Sequence, residues 1–163
     1  MDVIQSFLRS DKPIQYIRYL ENEVDPTCPE FKEYAKVLIE TFDPVLYDNL
    51  HEGHATEMGH FFLKTANPEL SLVFIKRVLS AEKWCLDQDG QMTHVNRKFI
   101  ELFAELIKSI PWEDIKETLD FTLDHLDFSL IPGWLEVYKH TQISYIAHKV
   151  ISRGAESKNG IFA

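Results

Sequence analysis

The sequence predicts an all-α protein that folds as a single domain. Apolar residues recur at intervals of three and four along most of the 163-residue chain, which is the spacing of amphipathic helices. Prolines stand at the start of several of these stretches, where the first helical turn tolerates them. No stretch alternates with the period of a strand. These patterns predict eight or nine helices, arranged as a compact bundle or as a short HEAT-like stack of helical hairpins.

The first predicted helices begin at Pro29 and Pro44. Pro44 follows Asp43, and this pair is typical of an N-cap residue and the first helical position. The helix over residues 29–42 has its apolar side chains at helical spacing: Phe31, Tyr34, Ala35, Leu38 and Phe42.

A central helix is predicted over residues 68–86, after the Asn67-Pro68 cap. It is apolar on more than one side, so we expect it to contact several neighbouring helices. The segment DQDG at 87–90 predicts a turn, and the next helix covers 93–110.

The last third of the chain predicts two more long helices and a tail. One helix covers residues 112–131, and the other runs from about Pro132 to Arg153. The remainder has the composition of a frayed end. We therefore expect an all-helical domain over residues 1–153 and a flexible C-terminal tail over 154–163.

Composition restricts the classes of partner. The net charge is −9, with ten acidic against five basic residues in positions 1–50. Such a surface repels phosphate groups, so direct binding to nucleic acid or to a membrane surface is not expected. The two cysteines, Cys28 and Cys85, have no metal-ligand spacing. The first residues lack the features of a signal peptide, which predicts a cytoplasmic, reduced protein.

One stretch, residues 50–62, carries side chains that bind metals: His51, His54, Glu57 and His60. Glu57 and His60 have the Glu-x-x-His spacing of a ferritin-like site. A site of that kind needs a second such motif on a facing helix, and the chain has none. We therefore expect no bound metal and no cofactor, and no motif for a catalytic nucleophile is present.

Acidic and aromatic residues alternate within ETLDFTLDHLDFSL at 117–130. On a helix over 112–131 the leucines form one face and the acids another. Like charges in a row repel each other, so a purely structural helix would normally mix signs. We predict a partner-binding surface with aromatic anchors among carboxylates, made of Glu113, Glu117, Asp120, Phe121, Asp124, Asp127 and Phe128.

These acids and phenylalanines, with the segment EKWCLDQDG at 82–90, give the chain a resemblance. It resembles the helical immunity proteins of bacterial toxin–immunity systems, including those of contact-dependent inhibition. The resemblance is one of general character over the whole chain. It implies a basic protein partner, a toxin domain such as a nuclease, and no catalytic activity. The alternatives are a metal-dependent enzyme that uses the histidine stretch and a helical-repeat scaffold protein.

We predict that the histidine stretch holds no structural or catalytic metal, because its second ligand set is missing. Elemental analysis of untagged protein should find no stoichiometric zinc, iron or manganese. A stoichiometric metal that disappears in His54→Ala or His60→Ala would contradict this and would favour the metal-dependent enzyme.

Overall fold

The fold is known from a computed structural model, which describes residues 13–41, 54–81, 83–87 and 89–162. For residues 13–16, 41, 54 and 156–162 it describes the backbone alone. Within these ranges the chain forms eight α-helices: α1 (Pro13–Glu23), α2 (Pro29–Thr41), α3 (His54–Thr65), α4 (Pro68–Leu79), α5 (His94–Ser109), α6 (Trp112–Asp124), α7 (Ile131–Thr141) and α8 (Ser144–Phe162). A 3-10 turn at Phe128–Leu130 precedes α7, and the described ranges contain no strand. The all-α prediction is confirmed.

The helices form two rows. In one row α1 packs against α3, α3 against α5 and α5 against α7, while the other row contains α2, α4, α6 and α8. The rows are joined where α1 meets α2, α3 meets α4, α4 meets α5, and α7 meets α8. Together these contacts make one compact all-helical domain, and the choice between a bundle and a stack of hairpins stays a prediction. Among the described helices, none is long and apolar enough to cross a bilayer.

The predicted central helix over 68–86 ends earlier, at Leu79. Its start is as predicted, because the Asn67 side chain accepts a hydrogen bond from the Leu70 amide and Pro68 occupies the first turn. α4 packs against α2, α3, α5 and α6, as its apolar surface indicated. Past Ser80 the chain leaves the helix and buries four of the described apolar side chains: Ala81, Trp84, Cys85 and Leu86. The apolar spacing in the sequence continues past the end of the helix because side chains of the following non-helical turn also pack into the core.

An aromatic cluster fills the centre of the core. The Trp84 ring lies 4.4 Å from the Phe103 ring and meets Trp134 edge-on at 5.7 Å, measured between ring centroids. Phe99 lies 6.1 Å from Phe103 on the same helix. The cluster joins α5, α7 and the turn after α4, so it holds this turn against the two helices.

Two other helix boundaries were predicted wrongly. The helix over 112–131 ends at Asp124, and a short connection separates it from α7. The helix over 132–153 is two helices, because Gln142 adopts a left-handed conformation with φ 57° and ends α7. Helices commonly end at a glycine in this conformation. Here the residue is a glutamine, so the sequence does not mark the break. The backbone is helical as far as Phe162, so part of the predicted tail lies in α8, and its flexibility stays a prediction.

Gly133, in the first turn of α7, lies directly against the side chain of Cys85. A methyl group at position 133 would lie 3.2 Å from the Cys85 Cβ and would overlap its sulfur. Burial also raises the pKa of the Cys85 thiol to about 12, so it stays neutral at physiological pH. The close approach of α7 to the turn therefore depends on a glycine.

We expect Gly133→Ala to destabilise the protein. Overpacking a core costs about 1–3 kcal/mol, whereas the better helix propensity of alanine returns at most about 1 kcal/mol. Urea denaturation measures the difference. Gly154→Ala is the matched control, because the nearest atom to its added methyl is 3.9 Å away. In the double variant, Cys85→Ala should reduce the loss of unfolding free energy that Gly133→Ala causes. If it does not, the overlap with the Cys85 side chain is not the cause of that loss.

Candidate protein-binding surface

The predicted binding residues do not share one helical face. Glu113, Glu117 and Phe121 are exposed on α6. Asp120 and Asp124 continue the row of Glu113 and Glu117 along α6 and contact α8, while Asp127 and Phe128 belong to the connection after α6. The early end of α6 removes only Asp127 and Phe128 from this row, since a continuous helix would have aligned all five acids.

Asp120 and Asp124 belong to a network that joins α6 to α8. Lys149 of α8 lies 2.6 Å from the Asp124 carboxylate and 3.9 Å from that of Asp120. Lys116, one turn before Asp120, lies 2.8 Å from it. The Tyr145 hydroxyl donates a hydrogen bond to Asp120. These bases and donors compensate the charge that looked unpaired in the sequence.

The network changes the ionisation of its members. The Lys116 ammonium, and then the Tyr145 hydroxyl, lower the pKa of Asp120 below its usual value of 3.8. The carboxylates in turn raise the pKa of Lys116, through Asp120, and that of Lys149, through Asp124. Each shift favours the charged form, so the network stays ionised at neutral pH.

Three interactions hold the end of α6 and the connection after it, two of them local and one with α8. Nδ1–H of His125 donates to the Phe121 carbonyl at 2.9 Å and so satisfies one of the last carbonyls of the helix. Asp127 accepts hydrogen bonds from the amide and the hydroxyl of Ser129, both at 2.8 Å, and these lower its pKa. The Nε of Arg153 donates to the Leu126 carbonyl at 2.9 Å. Asp127 is therefore a cap of the 3-10 turn as well as a surface acid.

Phe128 is covered on one side by the guanidinium of Arg153, which lies 4.5 Å from the ring centroid. This is the distance of a cation–π contact. Phe128 is 42% exposed, and its contact with Arg153 gives the ring a role inside the protein as well as at the surface.

Phe121 is different, because 71% of it is exposed. The centroid of its ring lies 5.1 Å from that of the His125 imidazole, so two exposed rings lie side by side at the end of α6. Three carboxylates lie toward the start of the helix, those of Glu113, Asp114 and Glu117. In the described part of the chain none of the three has an ion-pair partner.

Two cavities lie beside Phe121. The first has a volume of about 470 Å³ and lies between the end of α4 and the first half of α6, with Asp114 and Glu117 in its wall. The second, of about 360 Å³, lies at the end of α6 and reaches the buried ring of Trp84. Leu79, Phe121 and Thr122 border both cavities.

Sequence reasoning missed Asp114 and the threonines of this face. The positions 114, 117, 118, 121, 122 and 125 are spaced as one helical face, so a signal was present. This signal was not used because the row of acids on the neighbouring side of the helix is more regular, and the binding surface was predicted there. The contribution of Leu79 has no sequence signal, since α4 and α6 meet only in the folded chain.

The histidine stretch is described in part. Glu57 and His60 are exposed on α3, whereas His51 and the side chain of His54 lie outside the described residues. Among the side chains that are described, no three histidine, cysteine, aspartate or glutamate residues are grouped to hold a metal ion.

Comparison of the chain with protein-family models, with curated proteins and with solved structures gives no significant match. The resemblance to helical immunity proteins therefore stays a prediction.

We expect Tyr145→Phe to raise the pKa of Asp120, because the carboxylate loses one of its two principal donors. In the unsubstituted protein the charged Asp120 stabilises the fold above its usual pKa of 3.8, and this contribution to the free energy of unfolding is lost as the pH falls below that value. In the variant the contribution is smaller, so acidification should reduce its free energy of unfolding by less. A carboxyl NMR titration measures the pKa, with Asp127 as the internal control, since Ser129 holds its carboxylate. An unchanged pKa for Asp120 would show that the hydroxyl does not stabilise its charged form.

Proposed function

We propose that this protein is a non-catalytic protein-binding module of the immunity type, which neutralises a basic toxin such as a nuclease. The observation that carries the proposal is the exposed ring of Phe121 between two cavities and near three carboxylates that have no ion-pair partner among the described residues. The identity of the partner as a toxin rests on the resemblance of the sequence to immunity proteins.

Phe121 is suited to be the anchor of an interface. The rings of Phe62, Phe74, Phe99 and Phe103 are completely buried, so the exposure of Phe121 is not typical of the phenylalanines in this core. Residues that carry binding energy are those that lose all contact with water in the complex. A ring with cavities on two sides offers that change at low conformational cost, because it has only two rotatable bonds.

The carboxylates suit recognition of a basic surface. Among the described residues, no cation forms an ion pair with Glu113, Asp114 or Glu117. They would accelerate encounter with a cationic partner and orient it. In a nuclease, basic residues hold the phosphates of the substrate, and these carboxylates would take the place of those phosphates.

The other predicted contact residues have a smaller role in this proposal. Asp120 and Asp124 are already paired with lysines, and Asp127 with Ser129, so they would form the rim of the interface. Phe128, stacked on Arg153, would lie at the same rim. Contacts at a rim contribute less than contacts at a desolvated centre.

The arrangement of the helices in two rows supports one alternative, a helical-repeat scaffold. Helical-repeat proteins present extended surfaces to their partners. A scaffold would bind several unrelated proteins, whereas an immunity protein binds one toxin tightly.

We expect Phe121→Ala to weaken binding to the cognate partner, tested first with the product of the adjacent gene, by on the order of 2 kcal/mol or about 30-fold. Asp114→Lys with Glu117→Lys should mainly slow association and reduce its dependence on salt. Surface plasmon resonance at several salt concentrations measures both rates.

Glu33→Lys with Glu101→Lys is the matched charge control, because both carboxylates are exposed on other helices, α2 and α5. Reversal of Asp124 or Asp127 is a poorer test, since it also breaks contacts inside the protein. The surface is excluded as the binding site if Phe121→Ala and the Asp114/Glu117 reversal leave both rates like those of the control. Binding to a set of unrelated proteins would favour the scaffold.

A further inference from the structure

The two cavities beside Phe121 form one groove. They have Leu79, Phe121 and Thr122 in common, so the Phe121 ring stands between them as a shared wall. α4 and the turn after it form one side of the groove, and α6 forms the other. Trp84, Leu126 and Leu130 line the second cavity and make its floor apolar.

Charge is distributed unequally along the groove. At the start of α6, Asp114 and Glu117 line the first cavity, and Lys76 lines the opposite side. At the end of α6, both Arg153 and Asp127 line the second cavity, so their charges offset each other there. The groove is therefore acidic along the first part of α6 and balanced in charge at the other end.

The groove favours a partner segment that satisfies its own backbone. An extended peptide would bury amide and carbonyl groups against apolar side chains, and the described residues offer no strand edge to pair with them. A helix forms these hydrogen bonds internally. Its side chains at positions i and i+4 lie on one face, with their Cβ atoms about 5–6 Å apart. This spacing would place one apolar side chain on each side of the Phe121 ring.

We propose that this groove binds one amphipathic helix of the partner, with an apolar residue in each cavity and lysine or arginine beside Asp114 and Glu117. Lys76 repels cations on the α4 side, so the basic side chains of the bound helix face α6. This binding mode rests on the proposed function and specifies what part of the partner is recognised.

The test uses three synthetic peptides of about 18 residues, each held helical by a side-chain staple because isolated helices of this length are marginal in water. The first has leucines at i, i+4 and i+7 with lysines along one flank of the C-terminal half. The second has glutamate at the lysine positions, and the third is a scrambled version of the first. Fluorescence anisotropy gives the affinities, and amide NMR shifts give the location.

We expect the lysine peptide to bind at least about tenfold more tightly than either other peptide, equal to ~1.4 kcal/mol, with shifts confined to the end of α4, α6 and the turn that contains Trp84. Phe121→Ala should remove most of this binding. Phe128→Ala should not, because that exposed ring borders neither cavity. Asp114→Lys with Glu117→Lys should reverse the preference, so that the glutamate peptide binds better.

The helix mode is overturned if no peptide binds at millimolar concentration, if the lysine and glutamate peptides bind equally, or if Phe121→Ala has no effect. If the partner protein still responds to Phe121→Ala in that case, the proposed function stands and only the helix mode fails. Conversely, peptide binding that depends on Phe121, together with a protein partner indifferent to it, supports the groove and contradicts the proposed function.

Discussion

The packing of Trp84 against α5 and α7 is the interaction on which the rest of the structure depends. Its ring is 1% exposed and contacts Phe99, Phe103 and Trp134. Burying a large aromatic ring removes about 150–250 Å² of surface, or roughly 4–6 kcal/mol at about 25 cal/mol per Å². In the described part of the chain its indole N–H has no acceptor, which costs about 1–3 kcal/mol. Burial is the larger effect, so the turn after α4 is held in the core.

This turn also shapes the candidate surface. Trp84 lines the cavity at the end of α6, and Cys85 occupies the space that Gly133 leaves open on α7. Ala81, in the same turn, also lines this cavity. One non-helical segment therefore contributes both to the packing of the core and to the wall of the proposed groove.

Electrostatics divides the acids of α6 between two roles. Those facing α8 meet Lys149 and Tyr145, and they contribute to the contact between α8 and α6. Exposed ion pairs of this kind contribute little individually, so their main effect is to orient α8. In the described part of the chain, the acids at the start of α6 have no such partners. Negative charge is favourable in the first turn of a helix, which helps to explain why Glu113 and Asp114 are tolerated there.

The sequence alone determined the class of fold and most helix starts, because apolar spacing and the proline and Asn67 signals act within a few residues. It also identified Phe121, Glu113 and Glu117 as surface candidates. Only the tertiary structure decided where α4, α6 and α7 end, since these ends depend on Trp84 in the core, on Arg153 reaching the Leu126 carbonyl, and on the left-handed Gln142. It likewise decided which acids are compensated, because Lys149 lies 25 residues from Asp124 in sequence and meets it only through the packing of α8 on α6. Periodicity describes one helix at a time, whereas an ion pair or a groove between helices exists only after they pack.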